Sequence, residues 1–168
     1  MRHLVSLNGG QSPLYRIALT DASSGMPQKF PRIDERRFGQ RYRYAHTVSV
    51  LHDGDLQLIG AIELYKHDLE NGSRRVHEFG DGYLPGEFVF VPARHDAGED
   101  EGWLIGFVID SVGATTDLTI LDAHSFKSAP VATVWLPHRI PPGFHGNWFT
   151  AVQLLEQRGG INAERWAS

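Results

Sequence analysis

Eight strand-length segments, each closed by residues that tolerate tight turns, constrain this chain more than any other feature. Residues 14–19, 41–50, 57–65, 74–79, 87–92, 103–111, 117–122 and 130–136 are rich in β-branched, aromatic and aliphatic side chains, which pack well on a pleated surface. Between them stand His52-Asp53-Gly54-Asp55, Glu70-Asn71-Gly72-Ser73, Gly80-Asp81-Gly82 and Ser111-Val112-Gly113-Ala114. The Gly, Asn and Asp in these stretches accept left-handed or tight backbone that other residues resist. Helical periodicity is nearly absent before residue 150. The pattern predicts an all-β chain of antiparallel strands.

Residues 103–109, Trp-Leu-Ile-Gly-Phe-Val-Ile, are apolar at every position but the glycine, which predicts a strand covered on both faces. Its neighbours 117–122 and 130–136 alternate more, so the sheet reads as a buried centre with wetter flanks. That suits a four-stranded propeller blade or a sheet of a twisted sandwich, and pattern alone leaves both open. No strict repeat is visible; the strand number fits about two blades. Residues 150–168 form a separate tail in which Ala151-Val152-Gln153-Leu154-Leu155-Glu156-Gln157 predicts a short helix ended by Gly159-Gly160, with a frayed or disordered tail as the alternative.

Composition narrows the chemistry. There are no cysteines, which excludes a disulfide framework, a thiolate metal site and a cysteine nucleophile. The formal charge is -4, the wrong sign for a phosphate-neutralising surface, so no nucleic-acid partner is expected. Arg36, Arg37, Arg41 and Arg43, interleaved with Phe38, Tyr42 and Tyr44, read as a basic turn leading into an aromatic strand. No segment reaches the ~20 apolar residues of a membrane span, and no signal-peptide core is present. A cytoplasmic protein without a transmembrane segment is expected. Glycine fingerprints for nucleotides and the Gly-x-Ser-x-Gly elbow are lacking. Glu99-Asp100-Glu101 lacks the alternating ligands of a calcium loop and reads as a solvated hairpin turn.

Nine histidines remain, none in a short metal spacing such as His-Glu-x-x-His. Any metal site must therefore be assembled from distant segments. His52, His67, His95 and His124 read as surface imidazoles in or beside polar turns, while His46 and His77 lie in strands and suit the interior. His145 stands apart, because Pro141-Pro142-Gly143 stiffens its approach and Gly146 lets backbone pass close behind the ring. Such a setting suits either a fixed ligand or a tight turn with a satisfied histidine, and local pattern leaves both open.

Several ordered blocks carry a resemblance: Phe30-Pro31-Arg32-Ile33-Asp34, Gly39-Gln40-Arg41-Tyr42-Arg43-Tyr44, Gly86-Glu87-Phe88-Val89-Phe90-Val91-Pro92, Glu99-Asp100-Glu101-Gly102-Trp103-Leu104, Leu118-Thr119-Ile120-Leu121-Asp122-Ala123 and Pro142-Gly143-Phe144-His145-Gly146. Together they resemble the C-terminal third of the carotenoid cleavage oxygenases, over about residues 14–148. The resemblance implies that residues 1–149 are the C-terminal blades of a seven-bladed β-propeller. It implies further that four histidines of that propeller hold a non-haem iron(II), Fe(2+), the last being His145. Glu87 is then the outer-shell carboxylate that hydrogen-bonds this histidine, fixing its tautomer.

The activity so implied is O₂-dependent cleavage of an alkene bond in an apolar carotenoid, apocarotenoid or stilbene, giving two carbonyl products. Phe144 is a candidate for the substrate passage or for packing. The other three histidine-bearing segments lie upstream in the family, and His3, His46 and His52 fall in no matching motif. The chain alone is therefore expected to be inactive. Lys29 stands where many relatives place a glutamate that serves another iron histidine. Two alternatives remain: a non-enzymatic β-rich interaction module that has lost the iron site, and a stand-alone β-sandwich unrelated to iron.

Overall fold

The computed structural model of the chain describes residues 27–50, 61–143 and 145–157. The expected strand 14–19, the first part of 57–65, His3, His52, Phe144 and Gly159-Gly160 lie outside the described residues. Eight strands are found among those described: β1 (Gln28–Arg32), β2 (Tyr44–Ser49), β3 (Glu63–Asp68), β4 (Ser73–Glu78), β5 (Tyr83–Pro92), β6 (Gly102–Asp110), β7 (Thr115–Asp122) and β8 (Ala132–Trp135). They form two four-stranded antiparallel sheets, β1-β2-β3-β4 and β5-β6-β7-β8, each in chain order. The all-β expectation and the grouping by fours are both met.

Turn chemistry explains the hairpins. The β3–β4 turn pairs Asp68 with Ser73, places Gly72 at φ +70°, and lets the Asp68 carboxylate accept from the Glu70 amide at 3.1 Å and Asn71 Nδ2 at 2.9 Å. Arg43 closes the other side, donating to both Asp68 oxygens. The basic cluster thus reads as expected: Arg36 pairs with Asp34, Arg41 with Glu70 and Arg43 with Asp68.

The core lies between the sheets, where Val48 and Leu64 of the first meet Phe88, Phe90, Leu104, Val108 and Leu121 of the second, with Phe126 beyond β7. Burying such side chains is worth roughly 1.5–3 kcal/mol each. Gly106 is required at this packing: a Cβ there would stand 2.6 Å from Phe88 Cδ2 and 2.7 Å from Glu87 O.

Four expectations need correction. Residues 99–101 are a turn, but not a merely solvated one. Glu99 Oε1 accepts from the Arg43 and Tyr44 amides at 2.5 and 2.7 Å, and Asp100 pairs with Lys66, whose Nζ also donates to Ala123 O at 2.7 Å. This turn ties the second sheet to the first. His67 is not a surface imidazole; it lies half-buried in β3, its Nε2 2.9 Å from Thr47 Oγ1 and 2.8 Å from Gln28 Oε1.

The third correction concerns β6, whose second face is only partly covered: Leu104, Gly106 and Val108 point to the core, whereas on the other face Ile109 is buried but Trp103 and Phe107 are exposed. The second apolar face does not close a layer, because Phe107 and Ile109 line a cleft. Lastly, β1 was not expected. Pro31 argues against a strand, yet β1 is the edge of its sheet and irregular there, where a missing donor costs little.

Residues 151–157 form α1. Its start is a capping box, in which Gln153 N donates to Thr150 Oγ1 at 3.2 Å and Thr150 N to Gln153 Oε1 at 2.8 Å. Among the described residues no helix is long and apolar enough to cross a membrane.

Candidate metal-binding site around His145

Two irregular strands converge on His145. In β5 the pairing with β6 slips between Pro85 and Phe88, so Gly86 and Glu87 bulge and the carboxylate is re-aimed. Without that bulge strict alternation would fix the side chain to one face of the pleat. In β1 the pairing with β2 slips between Lys29 and Arg32, and Phe30 adopts φ +55°, a conformation rare for an aromatic residue. The Phe30 ring meets the His145 ring edge-on, centroids 5.5 Å apart at 75°.

The histidine arrives on the irregular segment beyond β8, fastened at Thr116. Thr116 O accepts from the Leu136 amide and Thr116 Oγ1 from the Ile140 amide, both at 3.0 Å. His145 Nδ1 lies 3.2 Å from Glu87 Oε1, and the Gly146 amide donates to Glu87 Oε2 at 2.7 Å. The Glu87 side chain is only 5% exposed, whereas the His145 ring is 73% exposed. One nitrogen is committed to the carboxylate and the remainder of the ring is open.

Glu87 is an anion here. Burial pushes its carboxyl up, but hydrogen bonds from Arg32, the Gly146 amide and His145, together with the Arg32 charge, outweigh that effect and hold it below its ordinary value. Because an ionised carboxylate only accepts, the hydrogen of the His145–Glu87 bond must sit on Nδ1. In the neutral ring the lone pair is then on Nε2, the arrangement a metal-binding imidazole needs.

Beside this pair opens a cleft of about 270 Å³, lined by Leu84, Phe107, Ile109, Ile140 and Pro142 together with His145 and Glu87. Lys29 is in its wall, with Nζ 5.1 Å from the Phe30 ring centroid, and burial lowers the lysine pKa. A cation therefore lines the cleft where the resemblance implies a carboxylate. No group of three or more His, Asp or Glu able to hold a metal occurs among the described residues. As a donor set, the site offers one imidazole with a carboxylate behind it.

Sequence reasoning brought His145 and Glu87 together and the structure places them in contact. It did not assign Arg32, whose guanidinium binds both Glu87 oxygens. The only signal was its place in the Phe-Pro-Arg block, since nothing local says that a β1 residue faces β5. His46 and His77 are elsewhere, buried in the first sheet, with His77 Nδ1 2.9 Å from Phe126 O. His95 and His124 are exposed, as expected.

Residues 4–150 match the family described as RPE65, retinal pigment epithelial membrane protein. A carotenoid cleavage oxygenase of Mycobacterium tuberculosis is 42% identical over 126 residues, covering 72% of this chain and 24% of that protein. The Arabidopsis thaliana carotenoid 9,10(9',10')-cleavage dioxygenase 1 is 36% identical over 138 residues, 76% of this chain and 25% of its own length. The crystal structure of cobalt-substituted Synechocystis apocarotenoid oxygenase superposes with a TM-score of 0.68 at 30% identity, covering 75% of this chain and 26% of that one.

The chain thus spans about a quarter of the length of the relatives it matches, and its two sheets are blades of their β-propeller. With the match running through all eight described strands and the His145 segment, the chain belongs to the RPE65 and carotenoid cleavage oxygenase family.

Proposed function

We propose that this chain supplies one histidine ligand, His145, and its carboxylate partner, Glu87, to the iron(II) centre of an oxygenase that cleaves an alkene bond of a carotenoid, apocarotenoid or stilbene. The observation that carries the reading is the 3.2 Å contact of His145 Nδ1 with the buried Glu87 carboxylate, at the mouth of an apolar cleft. A carboxylate behind a ligating imidazole sets its tautomer and raises its basicity. When bound, iron(II) supplies the redox chemistry by which both atoms of O₂ enter two carbonyl products.

The residues of this chain bind and exclude. Leu84, Phe107, Ile109 and Pro142 offer a dry surface that suits a polyene or stilbene and keeps bulk water from the reacting bond. The relatives named for carotenoid cleavage are joined by the lignostilbene-α,β-dioxygenase isozyme III of Sphingomonas paucimobilis, 31% identical over 135 residues, which supports the same class of bond. Among the described residues one imidazole is placed to bind the metal, and one alone does not hold iron(II) against water, so the chain by itself should be inactive.

Iron content decides this. The purified chain should contain no stoichiometric iron and cleave neither a stilbene nor an apocarotenal; tight iron with turnover would overturn the single-ligand reading. Joined to the upstream blades of the Synechocystis relative, the chain should complete an iron site that His145→Ala abolishes. Full iron content in that variant would remove His145 from the ligand set.

A further inference from the structure

The Glu87 carboxylate is fully subscribed, and half of its partners come from one side chain of the other sheet. Arg32 Nε donates to Oε1 at 2.8 Å and Nη2 to Oε2 at 3.0 Å. His145 Nδ1 takes the second place on Oε1, and the Gly146 amide the second on Oε2. An ionised carboxylate has about four lone-pair sites, so none is left for the carboxylate to turn toward. Arg32 Nη2 also donates to Gly146 O, closing a ring through Arg32, Glu87 and the His145–Gly146 backbone.

Fork geometry makes this arrangement specific. A guanidinium holding both oxygens fixes the plane of the carboxylate, which a point charge would not. The irregularity at Phe30 and Pro31 in β1 aims Arg32 at the bulge of β5. Arg32 also pairs with Glu35 at 3.0 Å, through Nη1, the nitrogen that does not hold Glu87.

We propose that Arg32 is a positioning residue for His145: it locks the Glu87 carboxylate and the Gly146 carbonyl so that the imidazole is held as the Nδ1–H tautomer with Nε2 as the lone-pair nitrogen. The proposal deepens the reading of His145 as a ligand and rests on it for its purpose. Its test does not need the metal.

The tautomer is read from the ring ¹⁵N shifts of His145 in the full chain, about two pH units above the ordinary imidazole pKa. In the unaltered chain the Nδ1–H form should dominate, whereas imidazole free in water favours the other. Arg32→Gln should lower the Nδ1–H to Nε2–H ratio by about fivefold, the worth of one ordinary hydrogen bond. Arg32→Lys, which keeps the charge but loses the fork, should fall between the two. Glu35→Gln, which removes only the outer pair, should leave the ratio unchanged.

A dominant Nε2–H form in the unaltered chain would overturn the proposal. So would an unchanged ratio in both Arg32 variants. Iron retention on His145→Ala would instead sink the ligand reading and leave the positioning role standing.

Discussion

Thr116 Oγ1 accepts a hydrogen bond from the Ile140 amide at 3.0 Å and lies within reach to donate to Ile140 O at 3.3 Å. A fully buried threonine of β7 thereby anchors the segment that ends in His145. Thr116→Val preserves shape and removes both bonds, leaving a part-buried Ile140 amide without this partner. The loss should cost about 1–3 kcal/mol and speed hydrogen exchange at Ile140 by about tenfold; unchanged exchange there would show that the anchor lies elsewhere.

Asp100 and Lys66 form a second charged contact between the sheets, beside Arg32 and Glu87. Lys66 is 3% exposed, and its ammonium also stands 4.4 Å from the Tyr44 ring centroid. Burial lowers the lysine pKa, opposed by the bond and charge of Asp100. Asp100→Ala strips the cation of its counter-charge and should destabilise the chain by about 3 kcal/mol in urea unfolding. Lys66→Met in the same background should recover part of that loss, because the uncompensated charge goes with it. Additive losses in the double variant would contradict the pairing.

His46 is a neutral imidazole sealed in the first sheet. Burial, then the charges of Lys66 and His67, press its pKa from 6.5 to about 3, and neither ring nitrogen has a hydrogen-bond partner among the described residues. The sign follows from proton counting: between pH 6.5 and 3 the unfolded chain binds a proton that the folded chain refuses, so stability falls as pH is lowered through that window. Between pH 7 and 5 the contribution is about 2 kcal/mol. His46→Leu cannot protonate, so its unfolding free energy should drop by about 2 kcal/mol less over the same interval. Parallel pH profiles for the two proteins would refute the assignment.

The strands of the second sheet are legible because each carries its own signal: hydrophobic β-formers bounded by residues that tolerate positive φ, as at Gly80 and Gly82 ahead of β5. Where signals conflict, the strand is not marked in the sequence. Pro31 hid β1, and Pro85-Gly86 hid the first residues of β5, since each looks like a break and each sits at a bulge of the ladder. The apolar run of β6 suggested two covered faces, but apolarity does not distinguish a packed layer from the wall of a cleft.

The site divides along the same line. Sequence by itself determined the strand alternation, the absence of thiolate chemistry, and, through ordered motifs, the pair His145 and Glu87 as the place to look. It could not bring Arg32 to Glu87 across 55 residues, tie Ile140 to Thr116, or turn Glu99 and Asp100 from a solvated turn into a fastening between sheets. Those contacts depend on how two blades pack and where their ladders slip by one residue. Local propensity fixes the period of a strand, whereas only the packed tertiary structure fixes which side chains its irregularities bring face to face.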